Sequence, residues 1–405
     1  MAKQKRKTIS LLREFSIPLI SGVLIALIWA NAAPASYHHF VDNKIWGDFT
    51  LHFFVNDLFM VFFFAIAAVE ITQSLLPGGD LNPLKRAINP MMATLGGIAG
   101  PALLYLALNT FMGSQELVRG WGIPTATDIA LAWLVARLVF GAAHPAVSFL
   151  LLLAIADDGI GLIIIALFYP DPANPVVPVW LLCTLAGMLI ALALKKGKVK
   201  SYWPYILLGG ALSWTGLYRA GIHPSLALVF IVPFLPHSPG EKAHLFEDDP
   251  EDYSTLRRFE QEWKFFVDMG LFLFGLTNAG VEFSAVSTVT WLVFLALLFG
   301  KTAGIFLLGS LASFLGFPLP EGMRHRELLV AGLIASIGLT VALFIAGVAF
   351  SDPGLQGAAK MGALWSVSAV IIAVSAGRLL GIERKTATQE PVLPVESQGR
   401  RTGEG

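Results

Sequence analysis

The sequence predicts an all-α membrane protein that crosses the bilayer about twelve times. Three observations predict this class: 55% of the 405 residues are hydrophobic, only 14% are charged, and the mean hydropathy is +0.69. Soluble domains carry about 25% charged residues, so this composition is typical of a polytopic membrane protein. Acidic and basic residues are equal in number, and no net charge favours nucleic acid as a partner.

Twelve apolar segments follow one another along the chain, and several are short or interrupted by glycine and proline. Roughly 20 residues of helix span the hydrocarbon core of a bilayer. The segments form one predicted transmembrane domain, residues 12–381. A basic N-terminus (1–11) precedes it, and a polar tail (382–405), predicted to be disordered, follows it. They lie at about 12–33, 51–76, 87–110, 121–137, 145–168, 177–195, 202–218, 223–236, 262–282, 288–314, 327–350 and 357–381.

The distribution of basic residues predicts the orientation. With the N-terminus inside, four of the 28 lysine and arginine residues fall in outer segments and one falls within a span. Lysine and arginine accumulate in cytoplasmic loops, so both termini are predicted to be cytoplasmic. Residues 237–258 form an acidic cytoplasmic loop, either a solvated linker or a sensor of protons or cations. The outer residues are Lys44, Arg119, Arg219 and Lys360, and Lys301 lies within a span.

No motif indicates an ATP site or a cofactor site. The chain lacks HExxH, the Walker loop and a GxGxxG placed after a strand. Cys183 is the single cysteine, which excludes an internal disulfide and a cysteine-rich metal site. The sequence therefore favours ion-driven chemistry and predicts no cofactor.

Two adjacent carboxylates, Asp157 and Asp158, lie inside the otherwise apolar run Val147–Phe168. One carboxylate at the bilayer centre costs at least about 2.5–3.5 kcal/mol on insertion scales, and adjacent carboxylates also repel each other. A chain retains such a pair where something binds it, and protons and small cations are the simplest partners. The alternative interpretation is that the two acids line a polar contact between helices.

Two apolar segments are interrupted by small and polar residues. Gly-Trp-Gly-Ile-Pro-Thr-Ala-Thr precedes Asp128, and Ser-Ile-Gly-Leu precedes Thr340. Paired interruptions in corresponding halves are typical of the binding site of inverted-repeat transporters. Broken helices leave partial positive charge at their N-termini and partial negative charge at their C-termini. Asp128 has the right sign for the N-termini, and Lys301 suits either the C-termini or a pairing with Asp158.

Six acids and one lysine fall within apolar segments altogether. Asp57 is interpreted mainly as a helix contact, and Glu70 either lines an ion entrance or extends to the interface. Asp268 lies near a span end and receives no function. The full set is Asp57, Glu70, Asp128, Asp157, Asp158, Asp268 and Lys301.

Several short motifs resemble the NhaA-type family of bacterial sodium/proton antiporters. Most are loose individually, but they occur in family order from about residue 10 to residue 381, which makes the set specific. The motifs are Val55–Asp57, Gly100–Tyr105, Thr127–Ala130, Ala156–Gly161, Ile163–Tyr169, Gly221–His223, Asn278–Val281, Gly300–Lys301 and Ile337–Thr340.

The resemblance implies twelve spans in inverted repeats, with fourth and eleventh spans that cross and are partly unwound. It implies that Asp157 and Asp158 bind the cation and the proton, and that Lys301 pairs with Asp158. It also places Asp128 and Thr127 in the unwound fourth span, where the acid offsets helix ends and the threonine helps to coordinate the cation.

The resemblance extends to the ion entrance. It matches Glu70 to an acid of the cytoplasmic funnel and His223 to a histidine linked to pH response, and it adds Thr340 and Asp57 as weaker candidates. The chain departs from the family pattern at Ser74, in place of a second acid, and lacks histidine between residues 257 and 266. Its Asp-Asp-Gly-Ile-Gly also replaces Asp-Asp-Leu-Gly. The first two departures concern pH sensing, and the third concerns the cation pocket.

The expected function is secondary antiport of Na⁺ or Li⁺ against protons, by alternating access across the bacterial inner membrane. Carboxylate, hydroxyl and carbonyl oxygens suit a hard cation, and the same carboxylates bind protons, so the two ions compete. The cation is expected at Asp157 and Asp158. The expected partners are lipid and the transported ions, and the outer loop Pro34–Asp48 is long enough for a homodimer contact.

Other functions fit the sequence less well. The alternative within transport is a sodium-coupled symporter of an organic solute, which would favour intramembrane arginine, and none is predicted. An intramembrane aspartyl protease needs a Gly-x-Gly-Asp context, and a prenyl-transfer enzyme needs DDxxD; both are absent. Adjacent acids with a lysine suit binding better than conduction, which disfavours a channel.

Overall fold

The computed structural model describes most of the chain. The predictions for the basic N-terminus, for most of the acidic loop and for all but the start of the tail fall outside the described residues. The described residues are 17–47, 49–77, 79, 84–170, 176–237 and 254–384.

Helices form nearly all the regular structure in these ranges. Proline occupies the first position of α2, α6 and α13, where its missing amide hydrogen has no partner to lose. The helices are α1 (Ile17–Ala32), α2 (Pro34–Val41), α3 (Leu51–Leu75), α4 (Leu84–Met112), α5 (Ile129–Phe140), α6 (Pro145–Phe168), α7 (Pro178–Lys196), α8 (Ala211–Ala220), α9 (Thr255–Asn278), α10 (Thr288–Phe314), α11 (His325–Ala335), α12 (Thr340–Ala349) and α13 (Pro353–Leu379).

Six of the described helices (α3, α4, α6, α7, α10 and α13) are long and apolar enough to cross a membrane, or up to eight spans if each of two bent pairs is one span. The first pair joins the 3₁₀ helix Gln115–Thr125 to α5 at 54°, and the second joins α11 to α12 at 51°. The breaks, residues 126–128 and 336–339, coincide with the interruptions in the sequence. They also touch, because the amide of Asp128 donates a 2.8 Å hydrogen bond to the Ile337 carbonyl.

Helices α4 and α10 cross at glycines. A Cβ atom added at Gly96 would overlap the Gly304 carbonyl, and one added at Gly304 would overlap the Gly96 carbonyl. Small residues allow helix backbones in a membrane to approach this closely. The crossing holds the π-helical segment Ala296–Lys301 of α10 against α4, and Lys301 is wholly buried. The lysine is thereby fixed at the centre of the protein.

Two segments differ from the sequence-based expectation. Residues 223–236 form 3₁₀ turns at Pro224–Leu226 and Val232–Phe234 rather than a regular α-helix, since two prolines interrupt a short segment. The segment between α1 and α3, predicted to be an outer loop, contains α2 and a two-stranded antiparallel hairpin, Lys44–Trp46 with Phe49–Thr50, which adds a small β element to the all-α prediction.

Candidate functional site

The acid pair lies midway along α6, and its two members have different environments. Asp157 is 1% exposed, and its Oδ2 accepts hydrogen bonds from Lys301 Nζ at 2.6 Å and from Thr127 Oγ1 at 2.7 Å. Asp158 is 8% exposed, and the buried Oδ1 atoms of both acids accept no hydrogen bond from the described residues. Adjacent residues project about 100° apart on a helix, so each acid faces different neighbours.

The predicted pairing of Lys301 with Asp158 is wrong in this structure. The lysine contacts Asp157 because the face of α6 that carries Asp157 is turned toward α10 and the break before α5. Lys301 Nζ also donates a short hydrogen bond to the Thr125 carbonyl, at the end of the 3₁₀ helix. The ammonium therefore serves both of its expected types of partner, a carboxylate and a helix C-terminus.

Both helix C-termini at the breaks receive a donor. Besides the Thr125 carbonyl bound by Lys301, the Ala335 carbonyl at the end of α11 accepts a 3.0 Å hydrogen bond from Thr127 Oγ1. Backbone carbonyls at a helix end lack partners within the helix and carry partial negative charge. Thr127 thus connects α11 to the acid pair through Asp157.

Both helix N-termini at the breaks meet at Asp128. Its Oδ1 caps α5 by accepting the Leu131 amide at 3.0 Å, and its Oδ2 lies 3.2 Å from Thr340 Oγ1 and 3.4 Å from the Thr340 amide at the start of α12. A carboxylate at a helix N-terminus satisfies amides and offsets the positive end of the dipole. This arrangement agrees with the charge argument made for Asp128 from the sequence.

A central cavity of about 120 Å³ connects these groups to the Glu70 end of α3. It is lined by Asp158, Asp128, Thr127 and Thr340. Glu70 of α3 lines the same cavity, together with Lys264 and Asp268 of α9. Sequence reasoning missed the last two residues, since Asp268 near a span end resembled an ordinary interfacial acid.

The side-chain oxygens of Asp158, Asp128 and the two threonines that line the cavity suit one small hard cation. They are carboxylate and hydroxyl oxygens, the ligand types that such cations prefer. Within the described residues, no three His, Cys, Asp or Glu side chains converge to chelate a metal ion. A cation there would depend on one or two carboxylates together with hydroxyl, carbonyl or water oxygens.

Comparison with known proteins places the chain in a family. A sequence model of the family described as Na+/H+ antiporter 1 matches residues 7–380. The chain belongs to this family. It is 72% identical over 389 residues to the Na(+)/H(+) antiporter NhaA of Desulfitobacterium hafniense, covering 96% of this chain and 100% of that protein. It is 64% identical over 379 residues to the NhaA of Geobacter sulfurreducens, covering 94% and 99%.

A solved structure has a related fold. The sodium proton antiporter MjNhaP1 from Methanocaldococcus jannaschii at pH 8 aligns with a TM-score of 0.51 and 13% identity, covering 91% of this chain and 92% of that one. At this identity the likeness concerns the fold alone. The family and the apolar helices together identify a multi-pass bacterial membrane protein.

The two positions that the family resemblance matches to the cytoplasmic funnel and to pH response, Glu70 and His223, lie near opposite ends of α3. Glu70 lines the central cavity, whereas His223 lies beside Asp57, with 3.8 Å between His223 Nε2 and Asp57 Oδ1. His223 also packs edge-on against Phe344 of α12 and caps the turn at Ser225. Neither Asp57 nor His223 lines the central cavity.

Sequence reasoning also missed two amide contacts. Asn56 and Asn278 exchange hydrogen bonds of 3.2 and 2.9 Å between α3 and α9, close to Asp57. Near Glu70, Gln73 Nε2 donates a 2.9 Å hydrogen bond to Glu260 Oε2. The quoted motifs contained Asn56 and Asn278, so a pairing between them could have been inferred from motif membership alone.

Proposed function

We propose that the chain exchanges Na⁺, or Li⁺, for protons by alternating access across the bacterial inner membrane. The observation that carries the proposal is Asp158, which lines the central cavity and has a buried oxygen that accepts no hydrogen bond from the described residues. A buried carboxylate without a donor is unfavourable, and a cation or a proton relieves that cost. Because one carboxylate can bind either ion, the two compete.

The neighbouring groups give the exchange its charge balance. Lys301 holds Asp157 in an ion pair, so Asp158 is the acid whose charge changes with its ligand. Thr127 and Thr340 line the same cavity as Asp158, and we infer that their hydroxyl oxygens are ligands of a cation bound there. Binding a proton at Asp158 expels the cation, and binding the cation expels the proton.

We place the Glu70 end of α3 at the cytoplasm, with both termini on that side. The support is the positive-inside distribution of lysine and arginine, which assigns the ends of the segments consistently. In this orientation Glu70 lies on the cytoplasmic side of the central cavity, and we infer that Asp158 is reached from the cytoplasm. Cation uptake from the cytoplasm would then be followed by closure at the Glu70 end.

We further propose twelve spans in inverted repeats, with the two bent pairs as the crossing, partly unwound fourth and eleventh spans. The support is the contact between the breaks at Asp128 and Ile337 and their matched capping by Asp128, Lys301 and Thr127. A symporter of organic solutes is less well supported, since pockets for such ligands measure about 300–1,000 Å³ and the cavity only about 120 Å³.

A homodimer is proposed through the outer hairpin. Among the described residues its two short strands form a sheet only with each other, and Ile45 and Phe49 are exposed. An exposed strand edge is a ready template for pairing with another chain. Crosslinking of single cysteines placed at Ile45 in membranes tests this contact, and the absence of crosslinked dimer would refute it.

The exchange itself is tested in everted membrane vesicles from cells that lack other sodium/proton exchangers. Addition of Na⁺ should dequench a ΔpH dye in vesicles that contain the parent protein. Asp158→Asn should abolish this response at every pH, because the amide can neither release a proton nor neutralise Na⁺. Glu282→Gln, at an exposed position outside the cavity, is the matched control. Normal exchange by a folded Asp158→Asn variant would refute the assignment.

A further inference from the structure

The lining of the central cavity includes two charged residues, Lys264 and Asp268, that the exchange mechanism does not yet use. Lys264 and Asp268 lie four residues apart on α9, so they share one face of the helix. Both line the cavity together with Glu70 of α3. An ion that moves between the cytoplasm and Asp158 therefore passes a cation and two carboxylates.

The contact between α3 and α9 fixes this face toward the cavity. Glu260 lies four residues before Lys264, and its carboxylate accepts the 2.9 Å hydrogen bond from Gln73 of α3. Gln73 itself lies three residues after Glu70. The hydrogen bond thus aligns the Glu260, Lys264 and Asp268 face of α9 with the Glu70 and Gln73 face of α3.

Asp158 indicates that the occupant of this cavity is cationic. It is more than nine-tenths buried, lines the same cavity, and presents an oxygen without a hydrogen-bond donor among the described residues. Glu70 and Asp268 contribute two more carboxylates to the lining of the same cavity. A cavity lined by several carboxylates raises the local concentration of cations.

We propose that Asp268, with Glu70, forms a second binding position for Na⁺ or Li⁺ between the cytoplasm and Asp158, and that Lys264 competes with the ion for it. The proposal rests on the exchange function and on the orientation argued above. When the position is empty, the ammonium of Lys264 balances the two carboxylates. An entering cation displaces that ammonium and then moves to Asp158.

The inference predicts a sided effect on cation affinity. Asp268→Asn should raise the apparent KM for Na⁺ roughly three- to tenfold when Na⁺ is presented at the cytoplasmic face, with little change in maximal rate. Lys264→Gln should lower that KM by a similar factor, since the internal competitor is removed. With Na⁺ at the outer face, both variants should keep the parent's KM, because the position is reached only from the cytoplasm.

The experiment measures Na⁺-driven proton movement in everted and in right-side-out vesicles, where opposite faces are exposed. Glu262→Gln is the matched control, because it removes an acid from the same helix, and Glu262 does not line the cavity. Asp268→Glu restores a carboxylate and should recover the parent's KM, which separates loss of the ligand from loss of the fold.

Three results would overturn the inference. They are an unchanged KM in Asp268→Asn, an equal change at both faces, or the same change in Glu262→Gln. If Asp268→Asn fails to insert, the Lys264→Gln and Asp268→Glu measurements decide the question. Failure of the exchange function itself is distinguishable, because the parent protein would then show no Na⁺-driven proton movement in either type of vesicle.

Discussion

The two ends of α3 hold polar side chains in opposite situations. At the Asp57 end, Asn56 and Asn278 exchange hydrogen bonds, and His223 lies beside Asp57. At the other end, about 20 Å away along the helix, Glu70 faces the central cavity. Asn56 and Asn278 thus satisfy each other at one end, whereas Glu70 at the other end lines a cavity beside the hydrogen bond between Gln73 and Glu260.

This difference explains how one helix can serve two faces of the membrane. Groups that satisfy each other exclude water and close the path, whereas groups that line a cavity remain available to an ion. Alternating access would exchange the two situations, with the amide pair separating as the Glu70 end closes. A ligand shifts such an equilibrium only by its difference in affinity for the two states.

The largest expected effect is on stability, at Lys301 of α10, which pairs with Asp157. Lys301→Ala leaves Asp157 and the Thr125 carbonyl buried without their donor, and removing one partner of a buried ion pair costs about 3–5 kcal/mol. The free energy of unfolding in detergent should fall by that amount, with a lower melting temperature. Lys196→Ala, at the exposed end of α7, is the control. Equal melting temperatures for parent and Lys301→Ala would show that the pairing does not stabilise the protein.

The next effect sharpens the contrast at the Asp57 end. Asn278→Ala leaves the buried Asn56 Oδ1 without its donor, while Asn56 Nδ2 keeps its 2.8 Å contact with His52 Nε2, and an unsatisfied buried acceptor costs about 1–3 kcal/mol. Stability should fall by this amount, while the Na⁺ KM at the cytoplasmic face stays unchanged. The double variant with Asn56→Ala should be more stable than the sum of the single losses implies, because the two amides interact directly. Strict additivity would mean that the pair does not close this end.

The sequence was sufficient for the residues that obey local rules. The Gly, Pro and Thr interruptions marked both breaks. Charge sign alone matched Asp128 to helix N-termini and offered helix C-termini as one of two partners for Lys301, the other being Asp158. Asp157 and Asp158 could not be told apart from sequence, because the rotation of α6 decides which one meets α10. Asp268 was missed because its exposure depends on the neighbouring α3.

A smaller effect is expected on the apparent affinity for Na⁺ as a function of pH. It tests whether the protein needs a pH sensor separate from Asp158. As pH falls, protons occupy Asp158 and compete with Na⁺, so the Na⁺ concentration for half-maximal rate should rise by up to about tenfold per pH unit. Saturating Na⁺ should restore the maximal rate at the lower pH. The test is the exchange rate against Na⁺ at several pH values in everted vesicles. A maximal rate that collapses at acid pH despite saturating Na⁺ would indicate a separate gate.

The smallest effect is expected at His223, although the family resemblance links this position to pH response. The Ser225 amide donates to His223 Nδ1, which leaves the proton on Nε2 facing Asp57 Oδ1 at 3.8 Å. When the histidine is protonated, such a long, partly exposed ion pair contributes about 0–1 kcal/mol, and it lies at the Asp57 end of α3, where neither Asp57 nor His223 lines the cavity. His223→Gln should therefore move the midpoint of the pH–rate profile by less than about 0.7 unit, because one unit corresponds to about 1.4 kcal/mol. Phe344→Leu, which removes the ring beside His223 but no charge, is the matched control. A shift above one pH unit in His223→Gln, with no shift in Phe344→Leu, would assign the control of pH dependence to the Asp57 end of α3 rather than to Asp158.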